Sequence, residues 1–223
     1  MTDATAIAQA FEAAMRQLPL VAILRGLTPQ QALPVSHALY DAGFRLIEVP
    51  LNSPDPFDSI SLIRNQLPAD ALVGAGTVLR VDDVARLRDV GGQLVVMPHA
   101  NGDIIRATKA AGLISLPGVV TPAEAFAALE AGADALKFFP AELVTPAVLR
   151  AMRAVLPRHV PLLPVGGISP QGMAPFIAAG AHGFGLGSAL FAPHMSADDV
   201  ARNAAAFVDA WHALDVGPGA RMS

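Results

Sequence analysis

Short apolar, β-branched runs alternate with longer segments of helical periodicity along the whole chain, and that alternation leaves few folds open. The runs are Val21–Arg25, Leu46–Pro50, Leu72–Gly76, Leu94–Met97, Ile114–Leu116, Ala135–Phe139, Pro161–Val165 and Gly183–Leu186. Many of the intervening segments close on glycine, at Gly43, Gly91-Gly92, Gly112, Gly132 and Gly180, where a residue without a side chain supplies the left-handed cap of a helix. Thr28-Pro29, Ser53-Pro54, Thr121-Pro122, Thr145-Pro146 and Ser169-Pro170 each pair a hydroxyl N-cap with a proline suited to the first helical turn. Strands alternating with helices predict an α/β fold with a parallel sheet. Eight units within about 200 residues predict a closed (β/α)8 TIM barrel. An open doubly wound sheet is the alternative, but no G-x-G-x-x-G loop follows the first run.

Composition agrees with a large buried core. Of 223 residues, 53% are hydrophobic and 15% charged, too apolar a balance for a disordered chain. No apolar run approaches the roughly 20 residues that cross a bilayer. A net charge of −4 gives no electrostatic reason to expect nucleic acid or an anionic membrane as partner. With no cysteine, a disulfide scaffold, a thiolate nucleophile and a Cys-ligated metal are excluded, and a reducing cytoplasm fits. Residues 1–17 read as an amphipathic lead-in helix, with Ile7, Ala10, Phe11, Ala14 and Met15 at helical spacing, rather than as a secretory leader. Residues 18–214 read as a single barrel domain and 215–223 as a flexible tail.

Barrel chemistry sits at the C-terminal strand ends, so polar residues there are the candidates. Lysine occurs only at 109 and 137. Lys109 suits the end of a helix, where a cation complements the dipole. Lys137 lies among apolar neighbours inside a strand, sharing a face with Ala135 and Phe139. Burial lowers an amine's pKa, and a neutral lysine attacks ketones to form a Schiff base; a structural ion pair or a phosphate contact would also account for it. Glu48 falls on the face opposite Ile47, Val49 and Leu51, where a carboxylate is costly unless paired or functional. A general acid/base role and a salt bridge to Arg25 or Lys137 are compatible readings. Arg25 ends the first run with a fork of donors suited to carboxylate or phosphate, or to pairing with Glu48. Thr77 closes the third and offers substrate a hydroxyl, or serves as an N-cap. Gly166-Gly167 after the seventh run, and Gly187-Ser188 after the eighth and opening a helix, lie where barrels bind phosphate. The six histidines show no metal-binding spacing, and His99 reads as a solvated loop residue near the mouth. These residues alone leave three functions open: a Schiff-base enzyme, a phosphate-binding isomerase or epimerase using Glu48 as base, and a sugar-phosphate sensor.

Six ordered segments carry a resemblance. They are Ala-Ile-Leu-Arg-Gly, Ile-Glu-Val-Pro-Leu-Asn-Ser, Gly-Ala-Gly-Thr-Val-Leu, Leu-Pro-Gly-Val-Val-Thr-Pro, Ala-Leu-Lys-Phe-Phe-Pro-Ala and Pro-Val-Gly-Gly-Ile-Ser-Pro. Over residues 18–214 the chain resembles the class I aldolases of 2-keto-3-deoxy-6-phospho sugar acids. The resemblance implies a (β/α)8 barrel, a cytoplasmic homotrimer, no metal or other cofactor, and cleavage of a phosphorylated keto-deoxy sugar acid to pyruvate and glyceraldehyde 3-phosphate. It implies Lys137 as the Schiff-base lysine and Glu48 as the general acid/base. It places Arg25, Thr77, Pro98 and Gly118 at substrate, and Gly166, Gly167, Gly187 and Ser188 at phosphate. Pro50, Asn52 and Val165 match the galactonate branch rather than the gluconate branch, which has Thr, Arg and Thr there. Without a hydroxyl, Val165 removes a hydrogen-bond partner for the substrate's C4-OH. Met97-Pro98-His99 departs from the pattern of both branches.

Overall fold

The computed structural model describes residues 3–214; the stretch 215–223, expected to be a flexible tail, lies outside them. The strands are β1 (Leu20–Ile23), β2 (Leu46–Pro50), β3 (Leu72–Gly76), β4 (Leu94–Val96), β5 (Ile114–Leu116), β6 (Gly118–Val119), β7 (Leu136–Phe138), β8 (Leu162–Pro164) and β9 (Phe184–Leu186). The helices are α1 (Asp3–Gln17), α2 (Pro29–Asp41), α3 (Pro56–Gln66), α4 (Val81–Asp89), α5 (Gly102–Ala110), α6 (Pro122–Glu130), α7 (Pro146–Val155), α8 (Met173–Ala178) and α9 (Ala197–Ala213). Every strand pair is parallel, in one arc ordered β5-β4-β3-β2-β1-β9 and another ordered β6-β7-β8.

The two arcs make one barrel. Pro117 separates β5 from β6 within the fifth barrel strand, so that strand pairs with β4 through its first half and with β7 through its second. The interruption was not expected from the run Ile114–Leu116. Proline has no N–H to offer a ladder, yet its carbonyl still accepts from Lys137 N–H at 3.0 Å. The other seam, between β8 and β9, is closed by a bridge pairing Val165 with Gly185. A Cβ on Gly185 would stand 2.6 Å from Val165 Cγ2, so a side chain there would push the seam apart.

Local signals account for most helix boundaries. Gly43, Gly91, Gly112, Gly132 and Gly180 all have positive φ, as left-handed caps require. Thr28, Thr121 and Thr145 are N-caps before Pro29, Pro122 and Pro146. Two expected starts fall elsewhere. α3 begins at Pro56 with Asp55 as N-cap, and the Ser53 hydroxyl instead accepts from the Gly26 N–H at 2.9 Å. Ser169-Pro170 opens a short 3-10 turn ahead of α8.

α1 presents Ile7, Phe11, Ala14 and Met15 to the core. It packs against β3 and β5, and a Cβ on Gly112, at the foot of β5, would meet Ala4 Cβ at 2.8 Å. No helix among the described residues is long and apolar enough to cross a membrane.

At the foot of β8 and β9, His182 N–H donates to Leu162 O at 2.9 Å, and its Nδ1 accepts from Leu162 N–H at 3.3 Å. An accepting Nδ1 requires the neutral ring. Burial, and then the charge of Arg153, push its pKa down to about 4 from 6.5. Between these values the unfolded chain binds a proton that the folded chain refuses, so stability falls as pH drops from 6.5 towards 4 and is unaffected above 6.5. By the usual conversion the loss reaches about 3 kcal/mol at most. His182→Asn keeps an acceptor without the titration. The variant's melting temperature is expected to decline less than the wild type's between pH 6.5 and 4.

Candidate active site

The parallel register stacks the polar residues in layers. Glu48 on β2 pairs with Ile23 on β1 and with Gly74 on β3, and Pro50 pairs with Gly76. Lys137 on β7 pairs with Gly118 on β6 and Leu163 on β8. Ile47 and Val49 alternate with Glu48 and are fully buried, which fixes Glu48 on the other face of the strand. Glu48 is 1% exposed and Lys137 6%. Lys137 borders an apolar hollow lined by Val21, Ile23, Val96, Leu116, Leu163 and Val165, and its Nζ stands 4.7 Å from the centre of the Phe139 ring.

Gly76 makes room for the carboxylate. A Cβ there would lie 1.8 Å from Glu48 Oε2 and 2.3 Å from Cδ. Glu48 Oε2 is buried with no hydrogen-bond partner, and no ion pair within 4 Å joins Glu48 to Lys137 or Arg25 among the described residues. The salt bridge expected for Glu48 is therefore absent, although the charges are felt. Burial raises the Glu48 carboxyl to about 7, against the opposing pull of Lys137 and then Arg25. Burial also lowers the Lys137 amine, helped by Arg25 and opposed by Glu48. Both groups are pushed towards their neutral forms.

Arg25 lies just past the end of β1, in the exposed turn at the mouth. Its Nη1 donates to Asn52 Oδ1 at 2.7 Å, and both terminal nitrogens lie 3.4 Å from Thr77 Oγ1. Thr77 is not an N-cap, since α4 starts at Val81 with Arg80 in that position. Its φ of 53° is an outlier for a β-branched residue and costs on the order of 1–3 kcal/mol. Gly118 lets the next turn cross close by: a Cβ there would lie 2.6 Å from Pro98 C and O. His99 is exposed beside it.

Gly166 and Gly167 follow β8 with φ of 117° and 61°, and the Glu142 side chain lies against them. Val165 bridges to Gly185, so this turn neighbours the one at Gly187, whose missing side chain faces open space. Gly187-Ser188 opens a single turn, with Leu190 and Phe191 N–H donating to Gly187 O, and not the expected helix; α9 starts only at Ala197. Elsewhere, Lys109 pairs with Asp134 at 2.6 Å, away from the mouth, and no cluster of three or more metal-ligating side chains occurs among the described residues. The links from Asn52 to Arg25 and from Ser53 to Gly26 were missed from sequence. A signal existed for the first, because Asn52 continues the period-two face of Leu46, Glu48 and Pro50.

A family model described as KDPG and KHG aldolase matches residues 11–205. The chain belongs to the KDPG and KHG aldolase family. It is thus a carbon–carbon lyase rather than an isomerase or a sensor. This aldolase is 50% identical over 196 residues to a probable 2-dehydro-3-deoxy-6-phosphogalactonate aldolase of Rhizobium meliloti, covering 88% of this chain and 92% of that one. It is 46% identical over 195 residues to the 2-dehydro-3-deoxy-6-phosphogalactonate aldolase of Escherichia coli, covering 87% and 95%. A solved structure described as native KDPGal superposes with a TM-score of 0.86 at 45% identity, covering 88% of this chain and 95% of the other.

The contact of Gly76 with Glu48 has a measurable consequence for the aldolase. Gly76→Ala is expected to displace the carboxylate and lower kcat about 100-fold, the size of effect that a misplacement near 1 Å produces. Steady-state kinetics, with circular dichroism to verify folding, check this.

Proposed function

We propose that this aldolase cleaves 2-dehydro-3-deoxy-6-phosphogalactonate to pyruvate and D-glyceraldehyde 3-phosphate through a Schiff base on Lys137. The observation that carries the reading is the buried Lys137 amine, pushed towards neutrality within electrostatic reach of a buried Glu48. The neutral amine adds to the C2 ketone, and loss of water leaves an iminium. The Glu48 carboxylate takes the C4 hydroxyl proton. The C3–C4 bond then breaks, its electrons flow into the iminium to give an enamine, and the aldehyde departs. Protonated Glu48 returns its proton to C3, and hydrolysis frees pyruvate and restores the amine. The iminium is the electron sink, so neither metal nor cofactor is assigned a role.

Arg25 and Thr77 hold the substrate carboxylate in this reading, with Pro98 and Gly118 beside it. The phosphate lies on Gly166, Gly167, Gly187 and Ser188, where closely approachable backbone presents N–H groups to an anion. The galactonate epimer is supported by the two relatives that bear its name and by Val165, an apolar residue at the hollow beside Lys137. A cytoplasmic homotrimer completes the reading, on the strength of family resemblance.

Incubation with pyruvate and sodium borohydride, followed by peptide mapping, tests the chemistry. A carboxyethyl group on Lys137 is expected, and no adduct on the folded protein would sink the assignment. Lys137→Arg should abolish turnover, because a guanidinium keeps its charge and cannot attack a ketone. Glu48 must be ionised to act as base. With its carboxyl at about 7, kcat/KM is expected to fall as pH drops below about 7. Glu48→Gln should remove that limb and lower kcat by about 10²–10⁴.

A further inference from the structure

We propose that Asn52 is a positioning residue for the reaction, holding the Arg25 guanidinium in the orientation that receives the substrate carboxylate while leaving its charge intact. The inference rests on the function proposed above and concerns a residue that function does not use. Arg25 is exposed at the mouth, and a long side chain there has many rotamers to lose on binding. The 2.7 Å contact of its Nη1 with Asn52 Oδ1 has the length of a charge-assisted hydrogen bond. Both terminal nitrogens also face Thr77 Oγ1 at 3.4 Å, too far for a strong bond. Nη1 is thus tied down by Asn52, while Nη2 has only the long contact with Thr77 and is ready for a better acceptor.

Asn52 can do this because its own backbone is fixed on both sides. Leu51 N–H donates to Gly76 O at 2.8 Å and Ser53 N–H to Pro50 O at 2.9 Å. The Ser53 hydroxyl is 8% exposed as a residue and accepts from Gly26 N–H at 2.9 Å, which anchors the very turn that carries Arg25. Behind Gly26, a Cβ would meet Pro193 Cγ at 2.7 Å, so that turn is backed on its far side as well. The residue between two anchored neighbours is a neutral acceptor. An aspartate there would keep the hydrogen bond but neutralise Arg25 and compete with the substrate's carboxylate.

Asn52→Ala and Asn52→Asp distinguish this role from a simple loop stitch. In steady-state cleavage, and in borohydride trapping across a pyruvate series, Asn52→Ala is expected to raise KM and half-saturating pyruvate about fivefold, the scale of lost pre-organisation, with most of the loss falling on KM. Asn52→Asp should raise both at least as much without lowering the melting temperature, whereas a stitch would work as well with Asp as with Asn. In an Arg25→Lys background the alanine change should add little, because the pair acts as a unit. Wild-type half-saturation in Asn52→Ala, wild-type behaviour of Asn52→Asp, or an undiminished alanine effect without Arg25 would each overturn the assignment to Asn52, leaving the Schiff-base reading intact. Failure of the wild-type protein to trap pyruvate would instead overturn that reading, and this inference with it.

Discussion

An amine and a carboxylate buried in one apolar barrel, close enough to feel each other but not bonded, are the constraint around which the rest of this structure is organised. Burial alone would neutralise both groups, and full pairing would fix both as ions. Lys137 and Glu48 are held between these limits, because each opposes the shift that burial imposes on the other. The apolar wall of Val21, Ile23, Val96, Leu116, Leu163 and Val165 supplies the desolvation. Gly76 supplies the space beside the carboxylate, since any side chain there would collide with it. Ile47 and Val49, fully buried on the opposite face of the same strand, keep the carboxylate turned inward.

The two ends of the barrel have different tasks. At the foot, α1 covers the strands with Ile7, Phe11, Ala14 and Met15, while the His182 backbone N–H donates to Leu162 O and its neutral imidazole accepts from Leu162 N–H. At the mouth, polar side chains reach across between turns, and Thr77 adopts a left-handed backbone that its branched side chain disfavours. Strain is tolerated where positioning matters, and satisfied packing is concentrated where stability matters.

Much of this was legible in the chain because it depends on local rules. Period-two alternation puts Glu48 and Lys137 on the interior face, and helix-ending glycines adopt the conformation that their position demands. Legibility ended where one residue had two possible partners. Ser53 before Pro54 has the form of an N-cap, yet its hydroxyl serves Gly26, 27 residues away, and the helix starts later at Asp55-Pro56. Gly187-Ser188 resembles a helix start but makes one turn only. The run Ile114–Leu116 reads as a whole strand, yet the barrel strand continues past Pro117, which has no N–H, into Gly118–Val119. The Arg25–Asn52 bond joins turns that no local pattern connects, although alternation along β2 does bring Asn52 to the correct face.

The split at Pro117 and the single bridge between Val165 and Gly185 divide the barrel into a six-stranded and a three-stranded arc. Glu48 belongs to the larger arc and Lys137 lies on the middle strand of the smaller. Hydrogen bonds nevertheless carry across both joints, from Lys137 N–H to Pro117 O at one and from His182 N–H to Leu162 O at the other. The amine and the carboxylate therefore sit on two arcs that meet at a proline and at a glycine. A side chain at Gly185 would press on Val165 and so reach the spacing of amine and carboxylate through the seam.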